Sequence, residues 1–168
     1  MSIVLIGAPG AGKSSVGRRL ARKLGKTYVD VDHRIEEVMG KPIAEIFADE
    51  GETYFRALEQ EATVELLDTF DVLSLGGGSV MNPEIRSALA GHDIVWLKVS
   101  IGQASRRVGL NTARPLLLGN VRGRLIELLR ERTPVYEALA TQIIETDGRG
   151  SSEIADQLAR ERGWDGQQ

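Results

Sequence analysis

Four apolar residues in a row, Ile3-Val4-Leu5-Ile6, run straight into a glycine-rich segment, after which apolar positions return at Val16, Leu20, Ala21 and Leu24. A short continuous apolar run reads as a strand buried on both faces, and the spacing that follows reads as an amphipathic helix. The same alternation recurs along the chain. Thr27 to Asp32 is β-rich, and Ile35, Val38 and Met39 then mark a helix that Gly40-Lys41-Pro42 ends. Ile43, Ile46 and Phe47 form a short apolar face closed by Gly51, and a longer helix is predicted over about Glu52 to Leu67. Asp71 to Leu75 is the next strand, and Asn82-Pro83 opens a helix to about Ala90, with Pro83 suited to its first position. Ile94 to Val99 is a continuous apolar strand with Trp96 in the core, and Ile101 to about Val108 is a short helix. Val121, Leu125, Leu128 and Leu129 predict a helix to about Leu139 that Pro134 is expected to kink or divide. Gln142 to Thr146 is a last strand, and Ile154, Ala155, Leu158 and Ala159 a closing helix. Strands alternating with helices, without hairpin signals, predict an α/β fold: a five-stranded parallel sheet with helices on both faces, a three-layer arrangement. Right-handed crossovers then gather the C-terminal ends of all strands on one edge.

Composition narrows this picture. The 168 residues suit one domain, and neither repeats nor a linker divide them, so residues 1–168 are read as a single unit. With no cysteine there is no disulfide framework, thiolate metal site or cysteine nucleophile, in keeping with a cytoplasmic protein. A net charge of −3 and a pI near 5.5 speak against a general nucleic-acid binder. No apolar run approaches the ~20 residues of a membrane helix, and no basic segment followed by an apolar stretch suggests a signal peptide. His33 and His92 have no partner spacing for metal or triad chemistry and are expected at the surface or in caps.

The candidate chemistry begins in the first glycine-rich segment. Gly7-Ala8-Pro9-Gly10-Ala11-Gly12-Lys13-Ser14 matches the phosphate-binding loop pattern in full, between a strand and a helix as that motif requires. Backbone N–H groups from Gly10 to Ser15 and the positive helix end can cradle phosphates, Lys13 can reach the β- and γ-phosphates of ATP, and Ser14 can ligate Mg²⁺. Asp30 and Asp32 are placed i, i+2 at a strand end, where they would share a face beside the loop. Asp30 is the candidate for the Mg²⁺ shell and Asp32 for meeting a second substrate, a role compatible with Asp32 capping the next helix. Glu52, Arg56 and Glu59 share a helical face, as a solvated ion-pair set or as part of a site. Gly76-Gly77-Gly78 at a strand's C-terminal end is either a turn or a place where the backbone approaches a ligand closely. Gly109 to Gly119, with Arg114 at its middle, has no period and is expected to be a mobile lid rather than a static loop.

Taken as an ordered set, the phosphate loop, Asp30-Val31-Asp32, Phe55-Arg56-Ala57-Leu58-Glu59, Gly76-Gly77-Gly78, Arg114-Pro115-Leu116-Leu117 and Arg132 before Pro134-Val135-Tyr136 resemble the shikimate kinase family over nearly the whole chain. The resemblance implies a P-loop NTPase-like fold with a phosphate loop at 7–14, an acceptor-binding helical region over about 32–60 and a lid over about 109–119. It implies transfer of the γ-phosphoryl group of ATP, with Mg²⁺, to the 3-hydroxyl of shikimate, giving shikimate 3-phosphate and ADP. It assigns Asp32, Arg56, Gly77, Gly78 and Arg132 to shikimate, with Glu59 bracing Arg56 and with Phe47 and Phe55 walling the ring. Asp32, Lys13 and Arg114 become the catalytic set, while Arg107 and Arg149 join the nucleotide side. Relatives are expected to carry a proline in the adenine loop where Ser151 stands here. A monomer is expected, bound to no nucleic acid or membrane. A gluconate or nucleoside-monophosphate kinase, or a nucleotide-gated binding module, are the competing readings.

Overall fold

The computed structural model describes residues 1–111 and 121–167. In chain order its elements are β1 (Ile3–Ile6), α1 (Lys13–Leu24), β2 (Tyr28–Asp30), α2 (Val31–Met39), α3 (Ile43–Glu50), α4 (Glu52–Leu67), β3 (Val72–Ser74), a 3₁₀ turn (Ser79–Met81), α5 (Pro83–Leu89), β4 (Asp93–Lys98), α6 (Ile101–Asn111), α7 (Val121–Leu139), β5 (Gln142–Glu145) and α8 (Ser151–Arg160). The strands form one sheet in the order β2-β3-β1-β4-β5, and every pairing is parallel. The strand that feeds the phosphate loop is therefore central, flanked by β3 and β4.

The two-residue period of the strands sorts the core into two layers. Ile3 and Leu5 of β1, with Val95 and Leu97 of β4, face Val16 and Leu20 of α1 and Ile154 and Leu158 of α8. Val4 and Ile6, with Leu73, Ile94 and Trp96, face Ile35 of α2, Phe55 of α4, Ile85 of α5 and Tyr136 of α7. Both faces of the sheet are thus covered, which is why its strands read as unbroken apolar runs rather than as alternation. Trp96 is in the core as expected.

Several expectations are corrected. β2 stops at Asp30 and α2 starts at Val31, because the Asp30 carboxylate accepts the His33 backbone N–H at 3.2 Å and caps the helix. Asp30 and Asp32 therefore do not share a strand face, and Asp32 sits in the first turn of α2 while Asp30 holds the capping role. α6 continues to Asn111, so Gly109 to Asn111 are helical, and the remainder of the expected lid, Arg114 included, lies outside the described residues. α7 runs through Pro134 undivided. His33 pairs with Glu37 at 2.9 Å on the surface, and His92 Nδ1 accepts the Ser2 N–H at 2.9 Å.

Candidate active site

The phosphate loop leaves β1 at its C-terminal end and turns into α1 at Gly12, whose φ of 93° lies in the left-handed region that favours glycine. Gly7 is required for a different reason: a β-carbon there would stand 2.6 Å from the Leu97 carbonyl oxygen of the neighbouring strand. The Lys13 ammonium donates to the carbonyls of Gly7 at 2.7 Å and Ala8 at 3.0 Å, which holds it over the loop. Burial draws its pKa down to about 8 against the opposing pull of Asp32 and Asp30. Gly10, Ala11, Gly12, Ser15, Arg107 and Arg149 line one cleft of about 430 Å³. Within it Arg107 Nη1 donates to the Gly10 carbonyl at 2.7 Å, and the Ser15 hydroxyl donates to Ser151 Oγ at 3.0 Å. Arg149 is held by Glu153 at 3.1 Å and Gln157 at 2.5 Å.

Ser14 and Asp30 meet on the other side of the loop, where the Ser14 hydroxyl donates to Asp30 Oδ2 at 2.5 Å. No group of three or more His, Asp or Glu side chains placed to hold a metal ion occurs among the described residues. Two protein oxygens beside a phosphate cradle suit Mg²⁺, which keeps water and phosphate oxygens in most of its octahedron and needs no all-protein cage.

Beyond Asp30 the charged groups converge from three helices. Asp32 comes from α2, Arg56 and Glu59 from α4, and Arg132 from α7, around the Gly76–Gly78 segment that follows β3. Arg56 Nη1 donates to Glu59 at 2.8 Å, and its Nε lies 3.7 Å from Glu52, so the predicted helical face forms. Glu59 is nearly fully buried, which argues against a solvated set. The Arg56 guanidinium also sits over the rings of Phe55 and Phe47, 5.4 and 6.0 Å from their centroids, and the two rings are 4.8 Å apart. These contacts hold the arginine from three sides.

The glycines make room for this constellation. A β-carbon on Gly76 would lie 2.6 and 2.8 Å from the Asp32 carboxylate oxygens. One on Gly77 would meet Arg132 Nη1 at 3.0 Å and Pro9 Cδ at 3.2 Å, and one on Gly78 would meet Arg132 Nη2 and Arg56 Nη2, each at 3.0 Å. A side chain at any of the three would therefore displace the Asp32 carboxylate or one of the two guanidinium groups. The same segment lies against the phosphate loop at Pro9, bringing the two halves of the site together.

Asp32 Oδ1 is buried and finds no hydrogen-bond donor among the described residues. Burial, with Glu59 and Asp30 adding to it, pushes the Asp32 pKa up to about 6, against the pull of Lys13 and Arg56. A carboxylate so placed is a strong acceptor lacking a partner. Sequence spacing missed Tyr136: it is fully buried, its hydroxyl donates to the Gly77 carbonyl at 2.7 Å, and its ring lies 5.6 Å from Trp96. The one available signal was its place four residues after Arg132, on the same helical face.

The family model for shikimate kinase matches residues 9–162. A shikimate kinase from Thermobifida fusca is 50% identical over 159 residues, covering 94% of this chain and 92% of that protein. One from Salinispora tropica is 52% identical over 157 residues, covering 93% and 94%. Among solved structures, the shikimate kinase from Acinetobacter baumannii in complex with shikimate superposes with a TM-score of 0.89 at 35% identity, covering 96% of this chain and 92% of that one. The shikimate kinase from Aquifex aeolicus gives 0.83 at 30% identity, covering 96% of each chain.

Proposed function

The chain belongs to the shikimate kinase family, and on that premise we propose how its residues divide the work of moving the γ-phosphoryl group of ATP to the 3-hydroxyl of shikimate. The enzyme is an ATP-dependent phosphotransferase acting on an alcohol, with shikimate 3-phosphate and ADP as products. On the acceptor side, Arg56 and Arg132 bind the shikimate carboxylate, a planar anion that suits two guanidinium forks better than ammonium groups. Gly77 and Gly78 let both arginines and the ring approach the backbone. Asp32 accepts a hydrogen bond from the 3-hydroxyl, aligns its oxygen for in-line attack and takes its proton late. The observation that carries this reading is the buried Asp32 oxygen without a donor, set across the glycine segment from two guanidinium groups.

On the donor side, the backbone from Gly10 to Ser15 holds the phosphates, while Arg107 and Arg149 line the cleft for the nucleoside. Lys13 exchanges its contacts with the Gly7 and Ala8 carbonyls for phosphate oxygens. Arg114 of the lid region 109–119 neutralises charge on the transferring group. Ser14, with Asp30 directly or through water, would hold Mg²⁺, which would supply charge neutralisation for the phosphates. Transfer through a loose transition state asks the protein mainly for positioning and charge stabilisation, which this donor set supplies. Residues 1–168 act as one kinase domain, with residues 32–60 as the acceptor region, and the protein works as a cytoplasmic monomer. No helix among the described residues is long and apolar enough to cross a membrane.

A coupled ADP-release assay offering shikimate, gluconate and AMP in parallel tests the acceptor assignment. Rapid ADP release with shikimate alone is expected. Comparable turnover with gluconate or AMP would overturn it in favour of a broader sugar-acid or nucleotide kinase.

A further inference from the structure

Ser74 ends β3 with a hydroxyl that is 1% exposed, in a strand otherwise apolar. That hydroxyl is satisfied on both sides: it donates to the backbone carbonyl of Lys13 at 2.9 Å and accepts from the Tyr28 phenol at 2.9 Å. The chain of contacts crosses from β2 through β3 to the first residue of α1. A third position is shaped to allow it. A β-carbon on Gly17 would stand 2.6 Å from the Tyr28 ring, 2.9 Å from Ser74 Oγ and 3.1 Å from Leu5 Cδ1. Glycine inside a helix is destabilising relative to alanine, so its presence in α1 calls for a packing reason. The close approach of Tyr28 and Ser74 supplies one.

Geometry gives this contact a direction. Tyr28 and Asp30 lie i, i+2 on β2 and so point to the same face, and in the parallel register Asp30 stands beside Ser74. β2 therefore grips the first turn of α1 at two successive residues: Tyr28 holds Lys13 through Ser74, and Asp30 holds Ser14 directly.

We propose that Tyr28, Ser74 and Gly17 form a latch, half-buried at Tyr28 and buried at the other two, whose task is positioning: it fixes the first turn of the phosphate-binding helix against β2, so that Ser14 meets Asp30 and Lys13 faces Asp32. Tyr28 borders the cavity that Ser14, Asp30 and Asp32 also line, with its hydroxyl turned to Ser74. The latch rests on the reading of Lys13 and Ser14 as phosphate and metal groups, and the test separates the two ideas.

Tyr28→Phe removes one oxygen and keeps the ring, so it is the first variant, with Ser74→Ala and the double variant beside it. Calorimetric titration with the β,γ-imido analogue of ATP, with and without Mg²⁺, reads the donor side apart from turnover, and titration with shikimate reads the acceptor side. Displacement of catalytic groups by a fraction of an ångström to one ångström is felt strongly in the rate, so kcat should fall about tenfold in Tyr28→Phe. The Mg²⁺-dependent part of analogue affinity should shrink in parallel, while shikimate affinity stays within about twofold, since small changes at a distant group add little. Because both substitutions break one chain of contacts, the double variant should be no slower than the slower single variant. A Tyr28→Phe enzyme with lowered Tm but unchanged kcat and unchanged Mg²⁺ response overturns the latch and leaves a packing role only. Strictly additive losses in the double variant overturn it as well. Ser14→Ala is the control: if that variant keeps the wild-type Mg²⁺ response, the assignment of Ser14 itself has failed and takes the latch with it.

Discussion

The two halves of the site are built from different material. The centre of the donor half is continuous in sequence, residues 7–15, and is built of backbone amides placed by left-handed glycines and a helix start, with Asp30, Arg107 and Arg149 at its margins. The acceptor half is made of side chains from α2, α4 and α7 held around three glycines, and its charged groups are separated by up to 100 positions, from Asp32 to Arg132. A cradle of amides binds any phosphate and specifies little, whereas converging half-buried charges must all be present at once and so can select one acid. The price of that selectivity is a partly buried, raised-pKa Asp32 and a backbone segment where an added side chain would push the charged groups aside.

Breaking the acceptor half at its centre should have the largest effect. Asp32→Asn should lower kcat about 10³-fold, the middle of the range for a positioned proton acceptor, with ATP affinity nearly unchanged. Steady-state kinetics with near-normal turnover would remove Asp32 from the proton-accepting role. The same variant should melt higher at pH 7. The folded-state pKa of Asp32 is raised to about 6 from 3.8, so its ionisation opposes folding above that range. The stability difference from wild type should shrink as pH drops from about 6 towards 4, as the folded-state carboxyl takes up its proton, and be gone below 3.8, where both states are protonated.

Arg132→Ala should raise KM for shikimate by about 10- to 100-fold, the worth of a charge-assisted contact, with a smaller change in kcat. If only Tm moves, the arginine is structural. Gly78→Ala tests the glycine segment without removing a charge: crowding both guanidinium groups should raise KM for shikimate about tenfold, with KM for ATP held within twofold. Equal loss on both substrates would mean that the two halves are not separable.

A milder probe joins the halves. The profile of kcat/KM for ATP should rise with pH through about 6, as Asp32 ionises, and fall through about 8, as Lys13 loses its proton. Asp32→Asn should remove the ascending limb and keep the descending one. A profile flat from pH 5 to 9 would detach both groups from the reaction.

Legibility in the sequence followed the same division. The phosphate loop could be read because its function lies in local spacing, and the strands and helices because burial imposes a period. The Asp30 to Asp32 boundary was misread because a β-rich composition carries through Val31, while the capping bond to His33 decides where the strand ends. The triple glycine reads from sequence as a turn or as a place of ligand approach, and among the described residues it also makes room for Asp32, Arg56 and Arg132. That could not be read because it depends on residues far away in the chain. Tyr136 on Gly77 and Ser74 on Lys13 left no periodic trace for the same reason.

Pro134 sits within α7 two residues after Arg132, and the helix passes through it. Proline has no amide hydrogen, so the usual bond from position 134 back to the Arg130 carbonyl is missing, and the helix carries a seam in its hydrogen-bond ladder. On its C-terminal side, Tyr136 is anchored to Gly77 and Trp96; on its N-terminal side, the helix leads back to the segment that precedes Val121. In hydrogen–deuterium exchange the amides of residues 125–133 should therefore exchange sooner than those of residues 135–139, giving one helix two clocks. If that order is found, the stretch bearing Arg132 opens and recloses while the end that anchors the glycine segment stays shut.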